Sequence, residues 1–166
     1  MTVKMISVAA MMMVSSFASQ AAQVQFTVEA NVPDDSFYVR GTGWESATQR
    51  MSWNEAALSL TPIERDLKMK NSSGSIKAYL QEAAMLSSGT NADPIPLTIK
   101  VFNQTLPVGA AGAVEVLSAA DGRTEKNRVM SVSQTAAYTA ANRPVGGQYR
   151  GAITMMFDSV PATTAQ

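Results

Sequence analysis

The side chains that most often carry out catalysis are sparse in this sequence. It has 13 acidic and 13 basic residues, but no histidine and no cysteine. Imidazole-based triads, thiol nucleophiles and the ordinary zinc sites are therefore excluded. Carboxylate chemistry is what remains.

The carboxylate pairs have simpler explanations than catalysis. Asp34 and Asp35 are adjacent, so on a strand their side chains would point to opposite faces, and after Pro33 they favour a turn. Glu64 and Asp66 would share one strand face, but basic neighbours surround them, which is typical of a solvated face. We therefore expect no catalytic site, no metal site and no cofactor.

Two tryptophans are the remaining candidates for a small-molecule site. Trp44 and Trp53 could stack on a sugar ring, whereas the interpretation we favour is that they fill the core or a subunit contact. A secreted carbohydrate-binding β-sandwich is therefore our second hypothesis. The charges cancel and no stretch is a block of like charge, so we expect neither nucleic acid nor a membrane as a partner.

The N-terminus has the pattern of a secretory signal peptide, residues 1–21. Lys4 supplies a basic start, residues 5–18 are apolar, and residues 19–21 offer a small-residue cleavage site. The apolar run is shorter than the roughly 20 residues that a membrane-spanning helix needs. We predict an exported chain of about 145 residues that folds as one domain and, without cysteine, depends on packing or partners for stability.

Most apolar residues recur at period two between clusters of turn-forming residues, which predicts an all-β sandwich. The candidate strands span residues 36–40, 50–53, 63–70, 75–80, 95–102, 113–117, 129–133 and 148–158. The alanine-rich segments 81–86 and 134–141 are predicted as single turns or loops. We expect Gly74 to take a positive φ in a turn, and residues 161–166 to form a loosely held tail.

One further strand, residues 23–32, alternates without a break and ends at Pro33. Its polar residues all fall on the other face from its apolar residues, which are Val24, Phe26, Val28, Ala30 and Val32. A strand with one apolar face needs a groove that covers this face. From the residues alone, two locations for this strand remain open. It either joins a sheet of its own sandwich or adds to the sheet of a neighbouring subunit.

The order of several segments resembles the major pilins of the colonization-factor-antigen (alpha-fimbrial) family. These segments follow the N-terminal strand and are residues 35–40, 67–80, 95–106 and 147–158. The resemblance spans nearly all of the mature chain. Each motif is common, but their order, the export signal and the absence of cysteine together are specific.

The resemblance implies an incomplete immunoglobulin-like β-sandwich, residues 34–160, that is completed by a neighbouring subunit's N-terminal donor strand, residues 22–33. The chain would travel through the periplasm to the cell surface and polymerise by donor-strand exchange into an adhesive fimbria. The implied partners are identical subunits, a periplasmic chaperone, an outer-membrane usher and a tip adhesin. A minor or tip subunit is the remaining alternative.

The same resemblance implies where the acceptor groove lies. The donor residues would be those of the apolar face of residues 23–32. The groove would be bordered partly by the last predicted strand, residues 148–158. One face of that strand carries Tyr149, Gly151, Ile153, Met155 and Phe157. Gly151 would leave room for the close approach of another backbone.

Overall fold

The computed structural model describes residues 36–89 and 93–162, which form two β-sheets packed face to face and one small hairpin. The predicted signal peptide and donor strand, with residues 163–166 of the tail, lie outside the described residues. In chain order the strands are β1 Phe37–Gly41, β2 Trp53–Asn54, β3 Ser59–Leu60, β4 Ile63–Asn71, β5 Gly74–Leu80, β6 Met85–Ser88, β7 Ile95–Val101, β8 Gln104–Thr105, β9 Val114–Leu117, β10 Lys126–Gln134, β11 Tyr149–Arg150 and β12 Met155–Pro161. Short 3-10 helices span Ala110–Gly112 and Asp121–Arg123. Residues 36–89 and 93–162 contain no helix that is long and apolar enough to cross a membrane.

The larger sheet follows the order β1-β4-β10-β7-β6-β11, with β8 paired to β7. Its longest pairing, between β4 and β10, is antiparallel from Ile63 opposite Val132 to Met69 opposite Lys126. The alternation in β7 has the predicted consequence, since Ile95, Leu97, Ile99 and Val101 are all buried. Strict alternation therefore gives this sheet one apolar inner face.

The smaller sheet has the order β12-β5-β9 and covers the inner face of the larger one. Its central strand, β5, buries Ile76, Ala78 and Leu80. Both sheets contribute to a single core, whose buried apolar residues are Ile63, Leu67, Met69, Ile76, Ala78, Leu80, Ala84, Ile95, Leu97, Ile99, Val101, Leu106, Val116, Leu117, Met130 and Val132. An all-β sandwich is confirmed.

Residues 148–158 were predicted to form one continuous strand, and this prediction is wrong. The chain forms β11, which pairs with β6 in the larger sheet, and then crosses to form β12, which pairs with β5 in the smaller sheet. β12 also continues past residue 158 to Pro161, where the prediction had placed the tail. The alanine-rich segment 81–86 was expected to be a turn or loop, which holds for residues 81–84, but residues 85 and 86 begin strand β6.

Gly74 was expected to serve a turn through a positive φ, and this is wrong. The glycines with positive φ in the described residues are Gly43 and Gly109. Gly74 is instead needed for close packing, because an added Cβ would lie 1.9 Å from the Val160 carbonyl oxygen on β12. The absent side chain lets the β12 backbone approach the start of β5.

Candidate functional site between two edge strands

Contacts on one side of the sandwich show how the strands of the smaller sheet are placed over those of the larger sheet. β8, which is attached to β7 of the larger sheet, lies against β9 of the smaller sheet. Residues of both strands line a cavity of about 200 Å³, including Gln104 of β8 and Glu115 of β9. Because β9 is one edge of the smaller sheet, the other edge, β12, lies on the side of β4 and β1.

Hydrogen bonds place β12 beside the end of β4. The fully buried Asn71, the last residue of β4, donates through Nδ2 to the Ser75 carbonyl at 2.7 Å and to Ser159 Oγ at 3.0 Å. The amide of Ala162 donates to the Ser73 carbonyl at 3.0 Å. Since β4 also pairs with β1, the strands β1 and β12, which are edges among the described residues, lie on the same side of the sandwich. We call the space between their inner faces the opening.

The register of β12 shows which of its side chains face this opening. Met155 lies opposite Leu80 and Phe157 lies opposite Ala78. Directly opposed residues of an antiparallel pair point to the same face, and both β5 partners are buried, so Met155 and Phe157 point inward. Both pack against the core but remain only partly buried, although they lie on the inner face.

The other wall of the opening is β1, which was predicted as a strand but not as a border of the groove. Phe37 lies opposite Asn71 and Val39 lies opposite Met69, two residues that are fully buried. Phe37 and Val39 therefore also point inward, yet Phe37 is 36% exposed. The signal was present in the sequence, because these two apolar residues alternate with polar ones in β1.

The five residues predicted to share one strand face are divided between the two sheets. Met155 and Phe157 lie on β12, and Ile153 packs against the core in the crossing segment. Tyr149 lies on β11, at the edge of the larger sheet opposite to β1, and its hydroxyl donates to the Val145 carbonyl at 2.9 Å. The structure therefore places Met155 and Phe157 on the inner face of β12 and Tyr149 on a different sheet.

Gly151 has the close backbone neighbour that was expected, but this neighbour belongs to the same chain. An added Cβ at Gly151 would lie 2.1 Å from the Met85 carbonyl oxygen on β6. The glycine thus lets the chain leave β11 beside β6 before it crosses to β12. A glycine at position 151 is therefore needed for the crossing between the sheets, because any other side chain would clash with the Met85 carbonyl.

A charged network on the outer face holds β1 in place. Glu125, just before β10, accepts a hydrogen bond from the Tyr38 hydroxyl at 2.7 Å and one from Arg40 at 3.1 Å. Lys68 of β4 forms an ion pair with the same carboxylate at 3.2 Å. These contacts, the Tyr38 hydrogen bond above all, lower the pKa of Glu125 from 4.5 to about 2. The network therefore links β1, the wall of the opening, to β4 and β10.

Both tryptophans have neighbours within the protein. Trp44 packs against the core, and its indole N–H donates to the Asp66 carbonyl at 2.9 Å. The Trp53 ring lies 6.3 Å from the Tyr138 ring, and the Arg143 guanidinium lies 5.7 Å from its centroid. The described part of the chain contains no group of three or more acidic side chains arranged to hold a metal ion.

Comparisons with known proteins agree with this architecture. The profile of the family described as "CS1 type fimbrial major subunit" matches residues 22–158. Among solved structures, the chain is similar to the CooA pilin subunit from enterotoxigenic Escherichia coli, with a TM-score of 0.55. The two share 13% sequence identity over 77% of this chain and 90% of that chain, so this likeness concerns the fold. No curated protein matches.

Proposed function

This chain belongs to the family of CS1-type fimbrial major subunits, and on this premise we propose that its copies join by donor-strand exchange. It is a structural subunit of a surface fimbria that is built from identical copies. In the proposal, residues 23–32 of one copy enter the opening between β1 and β12 of the next copy. No chemical reaction is part of this function.

The partly buried inner faces of β1 and β12 carry the proposal. Inward side chains at the edge of a sandwich remain partly exposed until another strand covers them. Residues 23–32 have the matching pattern, with one uninterrupted apolar face. Strand addition would bury each large apolar side chain at a gain of about 1.5 to 3 kcal/mol. Each ladder hydrogen bond would add about 0.5 to 1.5 kcal/mol.

The inner faces also define which residues form the acceptor site. We assign the walls to Phe37 and Val39 on β1 and to Met155 and Phe157 on β12. Ile153 lies at the end of the β12 wall, where the chain enters from the larger sheet. The donor residues remain those of the apolar face of residues 23–32.

The family to which the chain belongs suggests its export and assembly partners. A subunit with an uncovered apolar opening is prone to aggregate before it meets its neighbour, because an open sheet edge pairs with any available strand. We therefore propose that the chain crosses the periplasm bound to a chaperone that covers the opening. An outer-membrane usher then delivers it to the growing fibre, which ends in a tip adhesin.

Two neighbouring residues of the donor strand test strand exchange. Phe26→Asp would place an unpaired charge in an apolar opening, whereas Gln25→Asp changes a residue of the opposite face. We expect electron microscopy to show no fibres on cells that carry Phe26→Asp and normal fibres with Gln25→Asp. Normal fibres with both variants, or fibre loss with both, would contradict the assigned donor face.

A further inference from the structure

One end of the opening is closed by a hydrogen bond between the two sheets. Ser159 of β12 lies opposite the fully buried Ile76, so its side chain points to the inner face, like that of Phe157. The Ser159 Oγ accepts a hydrogen bond from Nδ2 of Asn71, the last residue of β4, at 3.0 Å. The apolar wall of β12 therefore ends at a polar group that is joined directly to the larger sheet.

The Asn71 side chain is held in one orientation. It is fully buried, and its Nδ2 also donates to the Ser75 carbonyl at 2.7 Å. Its Oδ1 accepts a hydrogen bond from the Ser73 amide at 3.2 Å. Both protons and the carbonyl oxygen of the side-chain amide are thus used. The amide cannot turn aside to admit another side chain without leaving a buried polar atom unpaired, which is costly.

The backbone is also tightly packed at this end of β12. An added Cβ at Gly74, the first residue of β5, would lie 1.9 Å from the Val160 carbonyl oxygen. Earlier in β12, Met155 and Phe157 present partly buried apolar surface to the opening. An apolar side chain of an added strand therefore finds apolar contacts beside Met155 and Phe157, and it finds neither space nor apolar contacts at the hydrogen-bonded end.

The alternating pattern of the proposed donor strand does not by itself fix the register in which it binds. Residues 23–32 alternate without a break. A slip of one residue would turn the polar face inward, whereas a slip of two residues keeps the apolar face inward. A uniform fibre therefore needs a feature of the acceptor that distinguishes registers two residues apart.

We propose that the hydrogen bond between Asn71 and Ser159 is the register stop of the opening, and that Ser159 is a specificity-determining residue for strand addition. A donor strand shifted by two residues toward this end would press an apolar side chain against the Ser159 hydroxyl. That side chain would lose its apolar contacts, and the hydroxyl would lose its access to water. The inference rests on the proposed strand exchange and adds how its register is fixed.

Disulfide cross-linking measures the register directly, because the chain has no cysteine of its own. Asp158→Cys places a thiol on the outer face of β12. In separate full-length chains expressed on cells, it is combined with one cysteine on the polar donor face, through Gln23→Cys, Gln25→Cys, Thr27→Cys, Glu29→Cys or Asn31→Cys. Directly opposed residues of paired strands can form a disulfide, whereas residues two positions away lie too far apart. Non-reducing gels of boiled fibres then show which donor position faces residue 158.

Substitutions at residue 159 then test the stop. With Ser159 in place, we expect one donor position to give about five times or more the cross-linked multimer of the positions two residues away. Ser159→Ala removes the stop, and the cross-link at one of those neighbouring positions should rise about fivefold or more. Ser159→Thr keeps the hydroxyl and should preserve the single register. Val160→Ala, on the outer face of β12, is the matched control and should leave the cross-linking pattern unchanged.

The remaining outcomes decide against the proposal. An unchanged register with Ser159→Ala would overturn it, as would a shifted register with Ser159→Thr or Val160→Ala. Equal cross-linking at several donor positions with Ser159 in place would overturn it too. Loss of fibres with Ser159→Ala would assign the residue to folding instead of register. Failure of strand exchange itself is distinguished by fibres that contain Ser159 and cross-link at none of the five donor positions.

Discussion

The two sides of the β-sandwich differ in how their inner faces are covered. On one side, β8 of the larger sheet lies against β9 of the smaller sheet, and Val116 and Leu117 of β9 are almost completely buried. On the other side, β1 and β12 are edge strands among the described residues, and their inward side chains stay partly exposed. The first side is completed by the chain itself, and we propose that the second is completed by another subunit.

The difference shows that an alternating pattern alone does not ensure that the apolar face of a strand is covered within the same subunit. β9 and β12 both belong to the smaller sheet, and both pair with β5. Among the described residues, β9 lies against β8 of the opposing sheet, whereas β12 is linked to the opposing sheet at the end of β4, through Ser159 and Asn71. A strand whose inward side chains stay partly exposed keeps apolar surface available for binding, and we propose that this surface is the site for polymerisation.

The largest effect should come from a charge on the inner face of β12. Phe157→Asp would place a carboxylate among apolar residues of the opening, and we expect fibre yield to fall by about 100-fold. Met156→Asp, one residue earlier, changes the exposed outer face and should leave the yield within about twofold. Yield is measured by immunoblot of fibres sheared from cells.

Phe157→Ala provides the check on folding, because it shortens the side chain without adding a charge. We expect it to reduce the yield to an intermediate level. If Met156→Asp were as damaging as Phe157→Asp, the inward face of β12 would not be the acceptor wall.

A core substitution on the closed side should act on stability without any dependence on a donor strand. Leu117→Ala removes a side chain that is almost fully buried, and we expect the free energy of unfolding to fall by about 2 to 4 kcal/mol. Urea unfolding is measured with and without a bound donor peptide, and the cost should be the same in both.

Two comparisons control this result. Phe157→Ala should cost more when the donor peptide is present, because the peptide covers the opening. Val108→Ala, at an exposed residue, should change the free energy by less than about 0.5 kcal/mol. A cost of Leu117→Ala that depended on the peptide would mean that the two sides are not independent.

The smallest effect should come from the Glu125 network, which holds the β1 wall. The folded-state pKa of Glu125 lies below its usual value of 4.5, so its stabilising contribution is present above pH 4.5 and is lost as the pH falls toward 2. Glu125→Gln should lower the melting temperature slightly at pH 7, by about 1 to 3 °C. The difference from the unmodified protein should disappear near pH 2, and a constant difference across this range would contradict the assignment.

Local patterns predicted much of the fold but not the crossing between the sheets. The alternation of β7 was sufficient to predict the strand and its buried face, because all its inward residues enter one core. Residues 148–158 also alternate, yet they form β11 and β12 in different sheets. Alternation specifies the two faces of a strand, but not the sheet to which it pairs. The close contact of Gly151 with Met85 shows where the change occurs, and only the folded backbone reveals that contact.

The proposed acceptor site differs from the predicted one for the same reason. Met155 and Phe157 remain in the proposal, and it adds Phe37 and Val39, which alternate equally well but were not predicted to line the groove. Their role depends on β1 and β12 being the two edges that flank one opening. That relationship comes from pairings between distant segments, such as Phe37 with Asn71 and Phe157 with Ala78.

The sequence by itself determined the chemical character of this protein. With no histidine or cysteine it lacks the usual catalytic side chains, and period-two alternation specifies an all-β chain with one unbroken apolar face in residues 23–32. Only the tertiary structure decided which strands are edges among the described residues and which of their side chains point inward. The physical reason is that side-chain alternation is a local property, whereas strand pairing depends on hydrogen bonds between residues far apart in the chain.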